Sequence, residues 1–415
     1  MTTSSQPDEA YVWTWLPGAT VPVVAGRLTQ VAEITYFTYG RSYLDRPDAV
    51  ALYLPELPLQ RGRQRPLDGL PIAGCINDAG PDAWGQRVIL AHVQGQIRAD
   101  SDTADLSPIT YLLESGSDRT GALDFQASAA EFVARVDSAT LEEMASAAQR
   151  LEAGEPFSPA LDMALLHGSS IGGARPKVLL DDGNRRLIAK LSSRSDRYPV
   201  VKAEAVAMEL ARRAGLQAAS TEIIECLGHD VLLVERFDRT EVPGERRQFV
   251  SALTMLGLDE MMARYCTYPD LADIIRARFD EPARTLHEVF ARITFNICVG
   301  NTDDHARNHA AFWDGSTLKL TPAYDICPQP RSGTEASQAM AIGRDGFRAS
   351  QLRGCVDAAP IYALTPREAR EIIDRQLDVI HTEWDTAADA AQLTAVERQR
   401  LWGRQILNAY ATEGY

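Results

Sequence analysis

Gly300-Asn-Thr-Asp-Asp-His-Ala-Arg-Asn-His309 is the densest polar run in the chain, and it follows directly on the apolar residues 293–299. A helix built from that apolar stretch is buried, so a run this polar at its end is more than packing. Asp303 and Asn308 stand five residues apart, and seventeen residues later Leu320-Thr-Pro-Ala-Tyr-Asp325 delivers one further carboxylate. The bland alternative is a solvated, capped loop. The surroundings are those of an ordinary folded protein: 415 residues, 45% apolar and 24% charged. At roughly 100–200 residues per domain this predicts two or three domains. The 42 Lys+Arg against 57 Asp+Glu give a net charge of −15. That argues against non-specific nucleic-acid binding, which needs cations to displace counterions. Six cysteines without any Cys-x-x-Cys pair lend no support to a zinc ribbon or to thioredoxin-type redox chemistry. They predict reduced, buried thiols. The polar start MTTSSQPDEA carries no signal-peptide pattern, and no apolar stretch is long enough to span a bilayer, so a cytoplasmic protein without membrane contact is expected.

Working outward, the chain changes texture twice. Tyr11-Val-Trp-Thr-Trp-Leu16 and Ile34-Thr-Tyr-Phe-Thr-Tyr39 read as strands. Asp82 reads as the N-cap of a helix to about residue 97, and Ser107-Pro108 as the start of a shorter one. Residues 139–153 read as helix. Residues 178–180 and 186–190 read as a hairpin around Asp181-Asp-Gly-Asn184, and residues 202–215 as a helix closed by Gly215. Residues 231–234 read as a short buried strand. Helices are then expected at 269–279, 283–299, 366–384 and 393–411.

An Asp and an Asn at this spacing suit phosphoryl transfer. The Asp accepts the proton of the attacking hydroxyl, the Asn ligates magnesium, and a later Asp supplies a second ligand. The rival, a His-Asp metallophosphohydrolase, needs the order His then Asp, whereas here it is Asp304-His305. The other histidines show no ligand spacing. Upstream, Gly168-Ser-Ser-Ile-Gly-Gly-Ala-Arg-Pro-Lys177 is a Gly-rich loop of the kind that turns backbone N–H groups to phosphate. Lys190 ends the next strand, and Glu204 lies in the following helix as a possible ion-pair partner. Val234-Glu-Arg-Phe-Asp-Arg239 then stands where a hinge would contact adenine. Each signal has a bland reading as a turn, an edge lysine or a solvated glutamate. Their order is that of a bilobal protein kinase.

Here the sequence resembles the HipA-type serine/threonine kinases, the toxin components of bacterial toxin–antitoxin pairs. The resemblance rests on Ser170-Ile-Gly-Gly-Ala-Arg-Pro-Lys177, Leu187-Ile-Ala-Lys190, Val234-Glu-Arg-Phe-Asp-Arg239, Asp303-Asp-His-Ala-Arg-Asn308 and Leu320-Thr-Pro-Ala-Tyr-Asp325. Leu57-Pro-Leu-Gln-Arg-Gly62, Pro81-Asp-Ala-Trp-Gly85 and Gly116-Ser-Asp-Arg-Thr-Gly-Ala122 extend it towards the N-terminus. It implies an α+β, bilobal protein-kinase-like fold. Residues 1–128 form a small N-terminal α+β module, residues 129–240 a β-containing N-lobe with the Gly-rich loop and hinge, and residues 241–415 an all-helical C-lobe.

The resemblance also implies ATP and Mg²⁺ as cofactors, with Asp303 as catalytic base and Asn308 and Asp325 as magnesium ligands. Lys190 contacts the ATP phosphates, Glu204 orients it, and Glu235 and Phe237 contact adenine. Ser170, Ile171, Gly172, Gly173 and Lys177 belong to the nucleotide-covering loop, and His305 orients the catalytic loop. Ser170 stands at the serine that such kinases autophosphorylate to switch themselves off, with Arg175 and Arg236 as candidate holders of the phosphate. The implied partners are a protein substrate, with an aminoacyl-tRNA synthetase as family precedent, and a HipB-like helix-turn-helix antitoxin that makes most of any DNA contact. Two other readings stay open: a non-catalytic kinase-fold partner of an antitoxin or repressor, and a small-molecule kinase.

Overall fold

The computed structural model describes residues 6–94, 103–135, 140–143, 145, 146, 150, 177–183, 185–192, 196 and 198–415. Three antiparallel sheets organise them. The first has the order β4-β3-β2-β1-β5, from β1 (Glu9–Thr14), β2 (Val23–Val31), β3 (Ile34–Tyr39), β4 (Arg63–Gln64) and β5 (Leu123–Gln126). Helices α1 (Ala83–Gln94) and α2 (Pro108–Glu114) lie between its fourth and fifth strands in sequence. Ser107 caps α2 by accepting from the Thr110 N–H at 3.1 Å, as the Ser-Pro pair predicts.

The second sheet has the order β6-β7-β9-β8, from β6 (Lys177–Asp181), β7 (Arg186–Leu191), β8 (Thr221–Cys226) and β9 (His229–Glu235). The β6–β7 turn forms because Asp181 Oδ1 accepts from the Gly183 N–H at 2.8 Å and Gly183 takes a φ of 88°. Period-2 alternation gives this sheet two different faces. On one, Val178, Leu187, Ala189, Leu191, Val231 and Leu233 share a core with Trp84 and Val88 of α1. The other receives α3 (Val200–Arg213), whose buried Ala203, Ala207 and Leu210 let it sit close. Lys177 and Lys190, paired across the β6–β7 ladder, project on the α3 side.

The remaining elements are mostly helical: α4 (Tyr268–Arg278), α5 (Pro282–Val299), α6 (Pro366–Ala390) and α7 (Ala395–Leu401). Thr365–Glu368 and Thr394–Glu397 capping boxes start α6 and α7. The expectation of an all-helical C-terminal half is corrected by a third sheet of β10 (Phe249–Ser251), β11 (Ala310–Trp313) and β12 (Leu318–Leu320). Its strands are too short to show a period. The helix expected at 393–411 is also corrected: it breaks after Leu401, where Gly403 and Leu407 take φ values of 72° and 52°. The β8 strand was missed because its glutamates mask the pattern. The helix expected at 139–153 lies largely outside the described residues.

One ionic network ties the first sheet to the segment after β9. The Arg236 side chain is 2% exposed and sits between Asp118 at 3.1 Å and Asp238 at 2.8 Å. Arg239 bonds the same two carboxylates at 2.7 and 2.9 Å. Both guanidinium groups donate to the Arg119 carbonyl, and Asp238 accepts from the Gly121 N–H at 2.7 Å. Arg236 is therefore committed and is not a spare cation for a phosphoserine, which corrects that expectation. Burial would raise the Asp118 and Asp238 carboxyls, but the arginines outweigh it and hold both below the usual range. Depressed folded values make this stabilisation complete above about pH 4 and progressively lost as pH falls below it.

Replacing Arg236 by Met should leave Asp118 and Asp238 facing each other with too little positive charge. The expected cost is roughly 3–5 kcal/mol in urea unfolding at neutral pH, shrinking towards pH 3 as the carboxylates protonate. Wild-type stability in Arg236→Met would remove this network as the lock.

Candidate active site

The helix α5 ends at Gly300, which takes a φ of 71°. A Cβ there would lie 2.5 Å from the Gln405 carbonyl oxygen, so only glycine permits both the turn and the close approach of the C-terminal segment. The chain then presents two adjacent aspartates in opposite directions. Asp303 is exposed, whereas Asp304 is 2% exposed. Asp304 accepts from the Tyr268 hydroxyl, from Asn296 Nδ2 at 2.6 Å, and faces His309 Nε2 at 2.9 Å. Burial pushes its carboxyl up, and His309 with these hydrogen bonds outweighs that, so it stays below the ordinary value. Asp303 goes the other way: partial burial raises it, His305 opposes, and Asp325 and Asp304 add to the rise.

The loop is closed by its own backbone. His305 N–H donates to the Asp303 carbonyl at 2.9 Å, Asn308 N–H to the His305 carbonyl at 2.9 Å, and Asn308 Nδ2 to the Asp303 carbonyl at 3.1 Å. That last bond turns the Asn308 amide oxygen the opposite way. Asp304 does not pair with His305, and among the described residues no group of three or more His, Cys, Asp or Glu is arranged to hold a metal.

Asp325 arrives from β12 with a φ of 60°, rare for a residue with a side chain. Its approach is fixed on both sides. Ala323 bridges Ala218 in parallel, and the Tyr324 hydroxyl donates to the Arg307 carbonyl at 2.7 Å. The result is a charge cluster across three elements. Lys190 Nζ donates to Glu204 of α3 and to Asp325. Lys190 and Glu204 are buried, while the Asp325 side chain is 35% exposed. Burial alone would lower the Lys190 ammonium, but Asp325 and Glu204 outweigh it and hold it firmly charged. Asp325, in turn, is held well below the carboxylate range because Lys190 and Lys177 reverse the effect of burial. Lys177 is pushed down, by burial first and by Lys190, while Asp325 and Asp82 pull it up.

Asp82, which the sequence marks only as a helix cap, also lies in the field of Lys177 and Arg307. Its Oδ1 caps α1 through the Trp84 and Gly85 N–H groups, both at 3.2 Å. Among the described residues its buried Oδ2 has no hydrogen-bond partner. Burial raises this carboxyl to about 6 even though Lys177 and Arg307 pull it down. The nearby Asp78 accepts from the Ser251 N–H and hydroxyl at 2.7 and 2.8 Å. No signal in sequence spacing connects Asp82 with Lys177.

Glu235 ends β9 exposed, with its N–H donated to the Ser220 carbonyl at 2.9 Å. Phe237 packs with Phe249, Phe312 and Tyr324, its ring centre 5.6 Å from that of Tyr324. The ring is thus coupled to the residue preceding Asp325. Ser170, Ile171, Gly172, Gly173 and Arg175 lie outside the described residues. The Asp325 carboxylate, its side chain 35% exposed, and the Asn308 side-chain amide are donors of the hard oxygen type that Mg²⁺ takes, with phosphates completing its shell. The lysines beside them suit a polyphosphate.

Asp304→Ala should strand the buried donors of Tyr268 and Asn296, at roughly 1–3 kcal/mol for each. Thermal unfolding should show a clear drop in Tm. Unchanged unfolding would mean Asp304 does not hold the loop.

The HipA-like C-terminal domain family model matches residues 169–384. The serine/threonine-protein kinase toxin HipA of Shewanella oneidensis is 29% identical over 183 residues, which are 38% of this chain and 42% of that protein. A putative kinase of Sinorhizobium fredii is 29% identical over 174 residues, 38% of this chain and 41% of that protein. Both matches thus span less than half of the relatives' length. Among solved structures, the S. oneidensis complex of HipA, HipB and operator DNA gives a TM-score of 0.62 at 18% identity, covering 96% of this chain and 99% of the matched one. The fold extends along nearly the whole chain, and with the family match over Lys190, the Asp303 loop and Asp325 the chain belongs to the HipA-like C-terminal domain family.

Proposed function

We propose that the chain is an ATP-dependent protein serine/threonine kinase of HipA type, divided near residues 128 and 240, and that it acts as a growth-arresting toxin. The observation that carries this reading is the meeting of Lys190, Glu204 and Asp325, which come from separate elements of sheet, helix and loop. Such a cluster of desolvated charge is what nucleotide phosphates need, and packing alone gives no reason to build it. Asp303, exposed and with its proton affinity raised, is the base that accepts the substrate hydroxyl's proton. Asn308 and Asp325 hold Mg²⁺, which when bound neutralises charge on the phosphate oxygens. Lys190 and Lys177 hold the ATP phosphates, and Glu204 keeps Lys190 aimed. Glu235 and Phe237 border the adenine, and His305 fixes the backbone turn beside Asp303.

Autophosphorylation of Ser170, which would add about −1.5 to −2 charges beside the nucleotide, rests on the family resemblance. So do a small helix-turn-helix antitoxin of HipB type, a DNA contact made through it, and a substrate such as an aminoacyl-tRNA synthetase.

The purified chain should bind Mg-ATP and transfer labelled phosphate to itself or to a protein in a lysate. Asp303→Asn should keep nucleotide affinity while transfer falls by about 10²-fold or more. Lys190→Ala should weaken nucleotide binding in calorimetry. Wild-type transfer by Asp303→Asn would remove Asp303 as the base. Absence of any Mg-nucleotide binding by the wild-type chain would remove the kinase reading.

A further inference from the structure

The segment between the one-turn helix Ala252–Met255 and α4 is pinned at both ends to the catalytic loop. At its start, the Ala252 N–H donates to the His309 carbonyl at 2.7 Å. At its end, Tyr268 bonds Asp304 and meets the His309 ring with centroids 5.4 Å apart. In between, Glu260 lies 3.5 Å from Arg307 of the loop itself. This excursion therefore forms a lip packed against the loop that carries Asp303. It carries the densest exposed apolar group of the described residues: Met261 at 78%, Met262 at 42% and Tyr265 at 57% exposure. Two of the chain's eight methionines are thus spent on adjacent exposed positions.

A folded chain gains nothing by exposing these side chains together. Met is adaptable and, with Tyr, is a typical anchor of binding surfaces. The rim is acidic. Residues 259–270 hold Asp259, Glu260 and Asp270 against Arg264, a net −2 that the adjoining Arg307 reduces to −1 while Asp259 and Asp270 stay clear of it. Arg264 lies 5.1 Å over the Tyr265 ring, and Asp259 accepts from the Met262 N–H at 2.8 Å, so the lip is ordered by its own contacts.

We infer that this lip docks the polypeptide flanking the phosphoacceptor residue, and that it selects a segment carrying basic and large apolar side chains. The inference rests on the kinase reading for its function, but the surface is testable without catalysis. The Met261, Met262 and Tyr265 side chains receive the apolar residues. Glu260 and Asp259 attract the cations, and the tether to Arg307 fixes how far from Asp303 the acceptor hydroxyl stands.

The test measures anisotropy of two dye-labelled serine peptides with the same apolar residues, one flanked by arginines and one by glutamates, on the full chain without nucleotide. The basic peptide should bind about tenfold more tightly, with the difference shrinking at high salt. The variant Met261→Ser/Met262→Ser/Tyr265→Ser should lose about tenfold or more of that affinity while Mg-ATP affinity stays at the wild-type value. Glu260→Gln should reduce the discrimination between the peptides. Equal peptide affinity in the triple variant, or a preference for the acidic peptide, overturns the inference. So does a wild-type dimer that the triple variant converts to monomer, since the occupant would then be a second copy. A chain that binds no Mg-nucleotide yet binds the basic peptide through this lip sinks the kinase reading and leaves the docking surface standing.

Discussion

Lys190 could not sit charged where it does without help from two distant parts of the chain. Its strand buries it, and an isolated buried ammonium would shed its proton or unfold its surroundings. Glu204 comes from α3 and Asp325 from the loop after β12. The sheet, the helix and the C-terminal helical region must therefore be docked before the cluster is satisfied. A buried ion pair is weak evidence of stability, because desolvation offsets the attraction. Its value lies in geometry. The left-handed turn at Asp325, a strained arrangement, is held against Lys190 by the bridge at Ala323 and by the Tyr324–Arg307 contact.

The same economy governs the neighbouring loop. Asp303 and Asp304 are one residue apart, yet the chain reverses their electrostatics by direction alone. Asp304 turns inward to three donors and is held ionised as a structural anion. Asp303 turns outward near other carboxylates, which raises its affinity for a proton. The Gly300 turn permits this, and the segment around Gln405 packs on it, with the Leu407 N–H donated to the Cys298 carbonyl at 2.7 Å. The C-terminal residues are thus structural supports of the loop.

Much of this was legible in sequence because it is local. Capping boxes, the Asp-Gly hairpin and the buried period of α5 and α6 depend on neighbours within a few residues. The Asp303–Asn308 spacing is local in the same sense. What sequence hid depends on remote partners. The strands β10, β11 and β12 owe their existence to one another and are too short for a period. The β8 strand sets two adjacent isoleucines between glutamates, Glu222-Ile-Ile-Glu225, which breaks the period-2 alternation. Asp82 satisfies a local rule as an N-cap, and that sufficient explanation concealed its second oxygen. Arg236 looked available because its sequence neighbours do not include Asp118.

The most consequential hidden feature is the attachment of the first sheet to the rest. Trp84 and Val88 of α1 fill the face of the four-stranded sheet opposite α3. The hinge-like residues after β9 carry Arg236 and Arg239, which are neutralised by Asp118. Asp78 binds the end of β10 through Ser251, and Asp82 places a carboxylate beside Lys177 and Arg307. The contacts touch the back of the sheet, the segment after β9 and the surroundings of Lys177. A sheet held at all three places cannot swing freely while the others stay fixed. Any displacement of the four-stranded sheet must then carry the N-terminal elements with it or break buried charge contacts. The N-terminal residues are accordingly part of the mechanical frame of the site, and the position of Asp82 makes them part of its electrostatics as well.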